Sequence, residues 1–354
     1  MPPLEMAALA LTVTAVTAGA ALAGVHLGFR PPRMTPFANP ADFRLPHRAV
    51  RIPTAKGKSL FGWLLPGPAG APAAVVMHGW GANADTLLPL AAPLARSGHT
   101  VLLVDARCHG RSDDDTYAAM PRFAEDMEAA MDWLAAQPDL APCRLALIGH
   151  SVGAGAALLV ASRRTDVAAV ISLSAFDHPE RVMRGMLARL RLPYRPLGWL
   201  VCRYVEWVIG HRFDAIAPVT TIAAIPCPVL IGHGAEDKVV PSACAAAIHA
   251  RAAGNARLVI LEGTSHERPA SFETLARLVA DFLMAACEKG ARRRGETPPG
   301  RASRHERIRP DHHDAPARAP SLTLRKRRGC QSDRTGRPGV STSAARAMAG
   351  ASIP

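Results

Sequence analysis

Short apolar runs alternate along this chain with longer segments in which apolar residues recur every three or four positions. The runs fall at 73–77, 100–104, 145–148, 167–173, 229–231 and 257–261. Between them, 85–96, 154–162, 241–253 and 271–288 read as helices. In 123–137, Phe123, Met127, Met131 and Leu134 share one helical face. Two further strands, 49–52 and 60–65, flank a turn at 55–58 and form a hairpin. Strands that are apolar on both faces and separated by helices predict an α/β fold. Its central sheet is mostly parallel, with helices on both faces. In such sheets, ligands bind beyond the carboxyl ends of the strands.

Those ends carry the candidate chemistry. The run at 145–148 passes into Gly149-His150-Ser151-Val152-Gly153, a G-x-S-x-G pattern between a strand and an Ala/Gly-rich helix. A serine on such a turn points its hydroxyl into a cleft. The residues two before and two after it must be small, because they press on neighbouring backbone. The new helix starts with free N–H groups that favour developing negative charge. The strand at 73–77 ends in His78-Gly79-Trp80-Gly81, a tight turn able to aim the Trp80 N–H at the elbow. Paired with the Val152 N–H, it would make an oxyanion hole. Asp237 follows the strand at 229–231, and His266 follows the last strand. A free serine hydroxyl is a weak nucleophile and needs an adjacent base. His266 suits that role, with Asp237 orienting it. Asp177, after the strand at 167–173, is the rival acid. Cys108 and His109, in the loop after the fourth strand, are read as structural.

These residues together resemble the serine α/β-hydrolase superfamily over about 50–288. The resemblance rests on His78-Gly79-Trp80-Gly81, the Asp105–Ser112 loop, the serine elbow, Gly234-Ala235-Glu236-Asp237 and Gly263-Thr264-Ser265-His266. The phrase from Phe213 to Pro218 is similar to a membrane-associated, esterase-like branch. One departure is Cys108, where the family often has Gly. The resemblance implies an α/β-hydrolase fold with a small helical cap at about 177–227, an acyl-enzyme on Ser151, and no metal or organic cofactor.

The cap segment carries Val182, Met183, Met186, Leu187 and Leu190 among arginines, then Trp199, Leu200, Tyr204, Trp207 and Val208. Such helices line an acyl pocket, lean on a membrane, or simply pack their apolar face inward. Residues 6–29 contain no Asp, Glu, Lys or Arg, and are long enough for a bilayer core of about 30 Å. A transmembrane anchor fits best; a cleaved signal peptide and a buried helix are the alternatives. Arg30, Arg33, Arg44, Arg48 and Arg51 follow the span and only Glu5 precedes it. The positive-inside tendency then places the catalytic body in the cytoplasm. Seven scattered cysteines without a C-x-x-C pair agree with a reducing compartment and speak against zinc.

The chain divides into an anchor (6–29), a Pro-rich linker (30–47), the hydrolase domain (48–290) and a basic tail (291–354). Of the 42 Lys and Arg, 15 lie in that tail with 5 of the 29 acidic residues, so it holds +10 of the net +13. Its Arg/Pro/Ser/Gly composition predicts disorder rather than a specific nucleic-acid surface. His312 and His313 there lack a distant ligand partner. The sequence therefore predicts hydrolysis of a small-molecule or lipid-like ester. The alternatives are thioester or acyl-amide hydrolysis, acyl transfer, and a binding module that has kept the fold.

Overall fold

The computed structural model describes residues 2–140, 144–266 and 272–294. The tail beyond 294, with His312 and His313, lies outside the described residues, as does Cys143. In chain order, α1 (Pro3–Gly28) precedes β1 (Arg48–Thr54), β2 (Lys58–Leu65), β3 (Ala73–Met77), α2 (Leu88–Arg96) and β4 (Thr100–Val104). Next come α3 (Met120–Ala135), β5 (Leu145–His150), α4 (Val152–Ala161) and β6 (Val167–Leu173). Four helices follow: α5 (Pro179–Arg189), α6 (Trp199–Ile209), α7 (Phe213–Ile216) and α8 (Pro218–Thr221). The chain then forms β7 (Val229–Gly234), α9 (Ala243–His249), β8 (Ala256–Leu261) and α10 (Phe272–Arg294).

The eight strands form one sheet in the order β1-β2-β4-β3-β5-β6-β7-β8. The β1–β2 hairpin is antiparallel, and β2 runs antiparallel to β4. Every pairing from β4 to β8 is parallel. Alternation along β3 explains why its strand is apolar throughout. Val75 and Met77 enter the core beneath Phe123, Met127 and Leu158 of α3 and α4. Ala74 and Val76 enter the opposite core beneath α2 and α10, among Leu88, Leu94, Val279 and Leu283. Two faces must be covered, so neither residue parity is free to be polar.

Several element boundaries differ from the pattern, each for a local reason. The helix expected over 85–96 splits into a 3₁₀ turn at Ala84–Leu87, where Asn83 accepts the Asp85 N–H, and then α2, with a proline in its first turn. The helix expected from 123 starts at Met120, again with proline in its first turn. The helix expected over 241–253 shrinks to α9, while α10 runs six residues past the predicted 288.

Beyond β4, buried polar groups shape the loop. The Asp105 carboxylate accepts the Ala84 N–H at 2.6 Å and the Arg111 N–H at 2.7 Å. A side chain at Gly110 would strike that carboxylate at 2.0 Å. Arg107 is buried, with Nε 2.7 Å from Asp126 and its other nitrogens toward Asp115 and Glu125. Cys108 has φ of +67°, the left-handed region that favours glycine. Its thiol offsets part of that strain by accepting the Asp115 N–H at 3.2 Å.

The glycines of the elbow test how tightly the sheet and α4 meet. A Cβ at Gly149 would lie 2.1 Å from the Gly153 carbonyl oxygen, and backbone does not yield cheaply. A Cβ at Gly155 would press on the Met120 Sδ at 2.7 Å, part of a flexible side chain, and would meet Phe176 and Pro218 at an ordinary 3.6 Å. Urea unfolding should therefore show Gly149→Ala destabilised by about 3 kcal/mol or more. Gly155→Ala should stay within about 1 kcal/mol of the parent, because helix propensity compensates.

Candidate active site

Ser151 sits between β5 and α4 with φ of +54° and ψ of −116°, a conformation costly for any residue with a Cβ. It is held from both sides. Its N–H donates to the Leu173 carbonyl at 2.8 Å, and its carbonyl accepts from Ala154 at 3.0 Å. Gly153 lets α4 reach the end of β3, since a Cβ there would lie 2.5 Å from the Met77 and His78 carbonyl oxygens. The Ser151 hydroxyl lies 3.1 Å from His266 Nε2, and His266 Nδ1 lies 2.7 Å from Asp237 Oδ2. Three loops at one edge of the sheet thus converge, from residues 86 and 29 positions apart in sequence.

Asp237 is buried, and burial alone pushes its carboxyl up. Hydrogen bonds from His233 and His266 and the Val240 N–H outweigh that and hold it well below the usual carboxylate range. Its Oδ1 also accepts the Val239 N–H at 2.9 Å. The other carboxylate, Asp177, is bound in fork geometry by Arg181 at 2.6 and 2.7 Å. It makes no hydrogen bond to His266 among the described residues. Glu236 is exposed.

The two N–H groups expected to face the nucleophile follow from backbone placement. Val152 is the first residue of α4, so its N–H has no helical acceptor. A Cβ at Gly79 would lie 3.1 Å from the Ser151 Cβ, so the Gly79–Trp80 peptide runs beside the serine. His78 orients that peptide. Its Nδ1–H donates to the Gly79 carbonyl at 2.6 Å, while its Nε2 accepts the Ala106 N–H at 3.1 Å. In a planar trans peptide, a carbonyl held on one side turns the Trp80 N–H to the other.

Two functional neighbours escaped the sequence reading. His78 was part of a motif without a role of its own. His150 was the variable position of G-x-S-x-G, yet its Nε2–H donates to the His266 carbonyl at 2.8 Å and so supports the loop that carries His266. The only sequence signal for either was a hydrogen-bonding residue beside a predicted site position. Desolvation holds His78 and His150 at about 4. His109, packed against His78 and Phe123, is pushed down to about 3 by burial and by His78. All three rings are neutral at pH 7. A 580 Å³ cleft lined by Phe37, His47, Trp63 and Arg111 contains none of Ser151, Asp237 or His266.

Comparison with known proteins identifies the family. A model of the alpha/beta hydrolase family matches residues 74–282, more than half of the chain. The chain belongs to that family. An uncharacterised protein of Mycobacterium tuberculosis is 30% identical over 226 residues, 63% of this chain and 73% of the relative. The mouse sn-1-specific diacylglycerol lipase ABHD11 is 39% identical over 105 residues, 29% of this chain and 32% of the relative. The polyketide transferase af380 of Aspergillus fumigatus is 33% identical over 145 residues, 39% of this chain and 50% of the relative. Among solved structures, the Pyrococcus furiosus esterase Pf2001 superposes with a TM-score of 0.59 at 22% identity, covering 72% of this chain and 97% of the esterase.

The neutral histidines make stability depend on pH. Below about 6.5 the unfolded chain takes up protons on His78, His109 and His150, whereas the folded chain does so only near 4 and below. The stability present above pH 6.5 is therefore lost as pH falls towards 4. The low-lying Asp237 carboxyl adds to this trend as pH passes the unfolded carboxylate value of about 3.9. Urea titrations should show that His109→Gln, whatever its stability at pH 7, loses less between pH 6.5 and 4 than the parent. Identical losses would contradict a neutral buried His109.

Proposed function

We propose that the chain is a membrane-anchored serine hydrolase that cleaves carboxylic esters through an acyl-enzyme on Ser151. The observation that carries this reading is the chain of contacts from Ser151 Oγ to His266 at 3.1 Å and from His266 to Asp237 at 2.7 Å. In the first step His266 Nε2 takes the hydroxyl proton as Ser151 Oγ bonds to the carbonyl carbon. The carbonyl oxygen becomes an oxyanion, met by the Trp80 and Val152 N–H groups. Collapse breaks the ester C–O bond, and the leaving alcohol receives the proton from His266. Water then repeats the sequence on the acyl-enzyme and frees the acid. Asp237, kept ionised by its donors, fixes the Nδ1–H tautomer of His266 and stabilises its charged form. An alcohol in place of water would give acyl transfer on the same residues. That second reading is favoured by the polyketide transferase among the relatives.

The anchor reading rests on α1, which is long and apolar enough to cross a membrane and is wholly exposed over its most apolar window. The five arginines between residues 30 and 51 support a catalytic body on the cytoplasmic side. Cys108, Cys202, Cys227 and Cys244 are buried free thiols, which accords with a reducing compartment.

A fluorophosphonate probe tests the chemistry. The parent chain should label and Ser151→Ala should not, with hydrolysis of short aryl esters lost in parallel. Absence of labelling in the folded parent would remove the hydrolase reading. Asp237→Asn should lower kcat by about 10³-fold or more, because His266 would lose its orienting carboxylate. Asp177→Asn should keep most of the activity; the reverse ranking would move the acid to Asp177. His78→Phe frees the Gly79–Trp80 peptide and should lower kcat about tenfold or more with a smaller change in KM.

A further inference from the structure

The cap helices expose apolar surface that the fold does not use. Inward-facing residues of α5 and α6, namely Met183, Leu187, Cys202 and Val205, are buried. The outer side of α6 presents Trp199, Leu200 and Trp207, and the α5–α6 connection adds Leu190, Leu192 and Leu197, with Trp207 at 77%, Leu190 at 67% and Leu200 at 53% exposure. Trp199 and Trp207, two turns apart on α6, fall on one face of that helix.

Charge and position say what covers this face. Residues 181–205 contain six arginines and no Asp or Glu. Arg181, Arg184 and Arg203 bridge to Asp177, Glu180 and Glu206, while Arg191 and Arg195 stand exposed beside the leucines. Like charges oppose pairing with a second copy. Aromatic and aliphatic side chains ringed by arginine suit an interface with anionic headgroups. The face is also continuous with the apolar helix. At the end of α1, His26 Nε2 lies 2.8 Å from the Tyr204 hydroxyl, and Tyr204 stacks obliquely on Trp207 at 5.9 Å. Val25 and Phe29 pack on the cluster formed by Met183, Cys202, Val205 and Phe213. A void of about 10 Å³ between Val25, His26, Phe29 and Tyr204 has room for no more than about one water molecule, so it does not separate α1 from the cap. Phe29 meets Trp80 edge-on at 6.5 Å, so the same end of α1 abuts the predicted oxyanion turn.

We infer that the outer face of α5 and α6 docks on the anionic surface of the bilayer that α1 enters, and that the substrate is an amphiphilic acyl ester drawn from that leaflet. This rests on the hydrolase reading for the ester and on the anchor reading of α1 for the bilayer. A lid face set against lipid beside the anchor would let an acyl chain enter the site without crossing water.

The test uses the full chain reconstituted into vesicles of phosphatidylcholine and phosphatidylserine with brominated acyl chains. Tryptophan fluorescence of the parent should be quenched, and Trp199→Phe with Trp207→Phe should remove most of the quenchable signal. Equal fractional quenching of the two chains would overturn the docking. In parallel, a triple variant (Trp199→Ser, Leu200→Ser, Trp207→Ser) should keep short aryl-ester turnover in solution but lose about tenfold on a diacylglycerol held in the bilayer. An unchanged ratio between the two esters would overturn the delivery role. Should no chain turn over any ester, the hydrolase reading fails, and the quenching still decides the docking.

Discussion

The arrangement depends on two missing Cβ atoms where β5, α4 and the end of β3 meet. A Cβ at Gly149 would strike the Gly153 backbone, and a Cβ at Gly153 would strike the Met77 and His78 carbonyls, at distances no side chain would tolerate. Close packing here forces the chain from strand to helix in a single residue. Ser151 takes the positive φ that results, and hydrogen bonds to Leu173, Ala154 and Gly155 hold it there.

Around the elbow, the strand-end loops are tied by buried polar groups rather than by apolar packing. His78 joins its own turn to the loop after β4 through Gly79 and Ala106. Asp105 pins that second loop to Ala84 and Arg111, and His150 reaches the third through the His266 carbonyl. The bonds of His78 and the Ala84–Asp105 bond are buried, where a fully partnered polar network rigidifies and an unpartnered one is costly; those of Arg111 and His150 are half-buried. The left-handed Cys108 shows that this scaffold tolerates a local departure from the family pattern as long as the flanking bonds remain.

The two carboxylates at this edge illustrate how surroundings separate chemically identical groups. Both lie in loops beyond parallel strands, and both are held below the ordinary carboxylate range against the opposing effect of burial. Arg181 occupies the oxygens of Asp177. In Asp237, backbone N–H groups occupy one oxygen and leave the other to His266 at 2.7 Å, with His233 at 3.4 Å. An arginine fork engages both oxygens of a carboxylate at once, whereas two N–H donors on one oxygen leave the second open to a histidine.

The alternation of elements, the mostly parallel sheet, the serine elbow and an apolar segment long enough to span a bilayer are all legible in the sequence. These follow from periodicity and from steric demands among residues a few positions apart, which any stretch of chain displays locally. The sequence also placed Ser151, Asp237 and His266 after the strands that carry them, because strand ends are legible from composition. Tertiary structure alone decided the strand order, the choice of Asp237 over Asp177 as the partner of His266, and the supporting contacts of His78 and His150. It alone decided which side of α5 and α6 stays exposed: Met183 and Leu187 turn inward, while Leu190, Trp199 and Trp207 turn outward. All of these are contacts between residues far apart in sequence, and an apolar side chain is written the same way whether protein or another surface covers it.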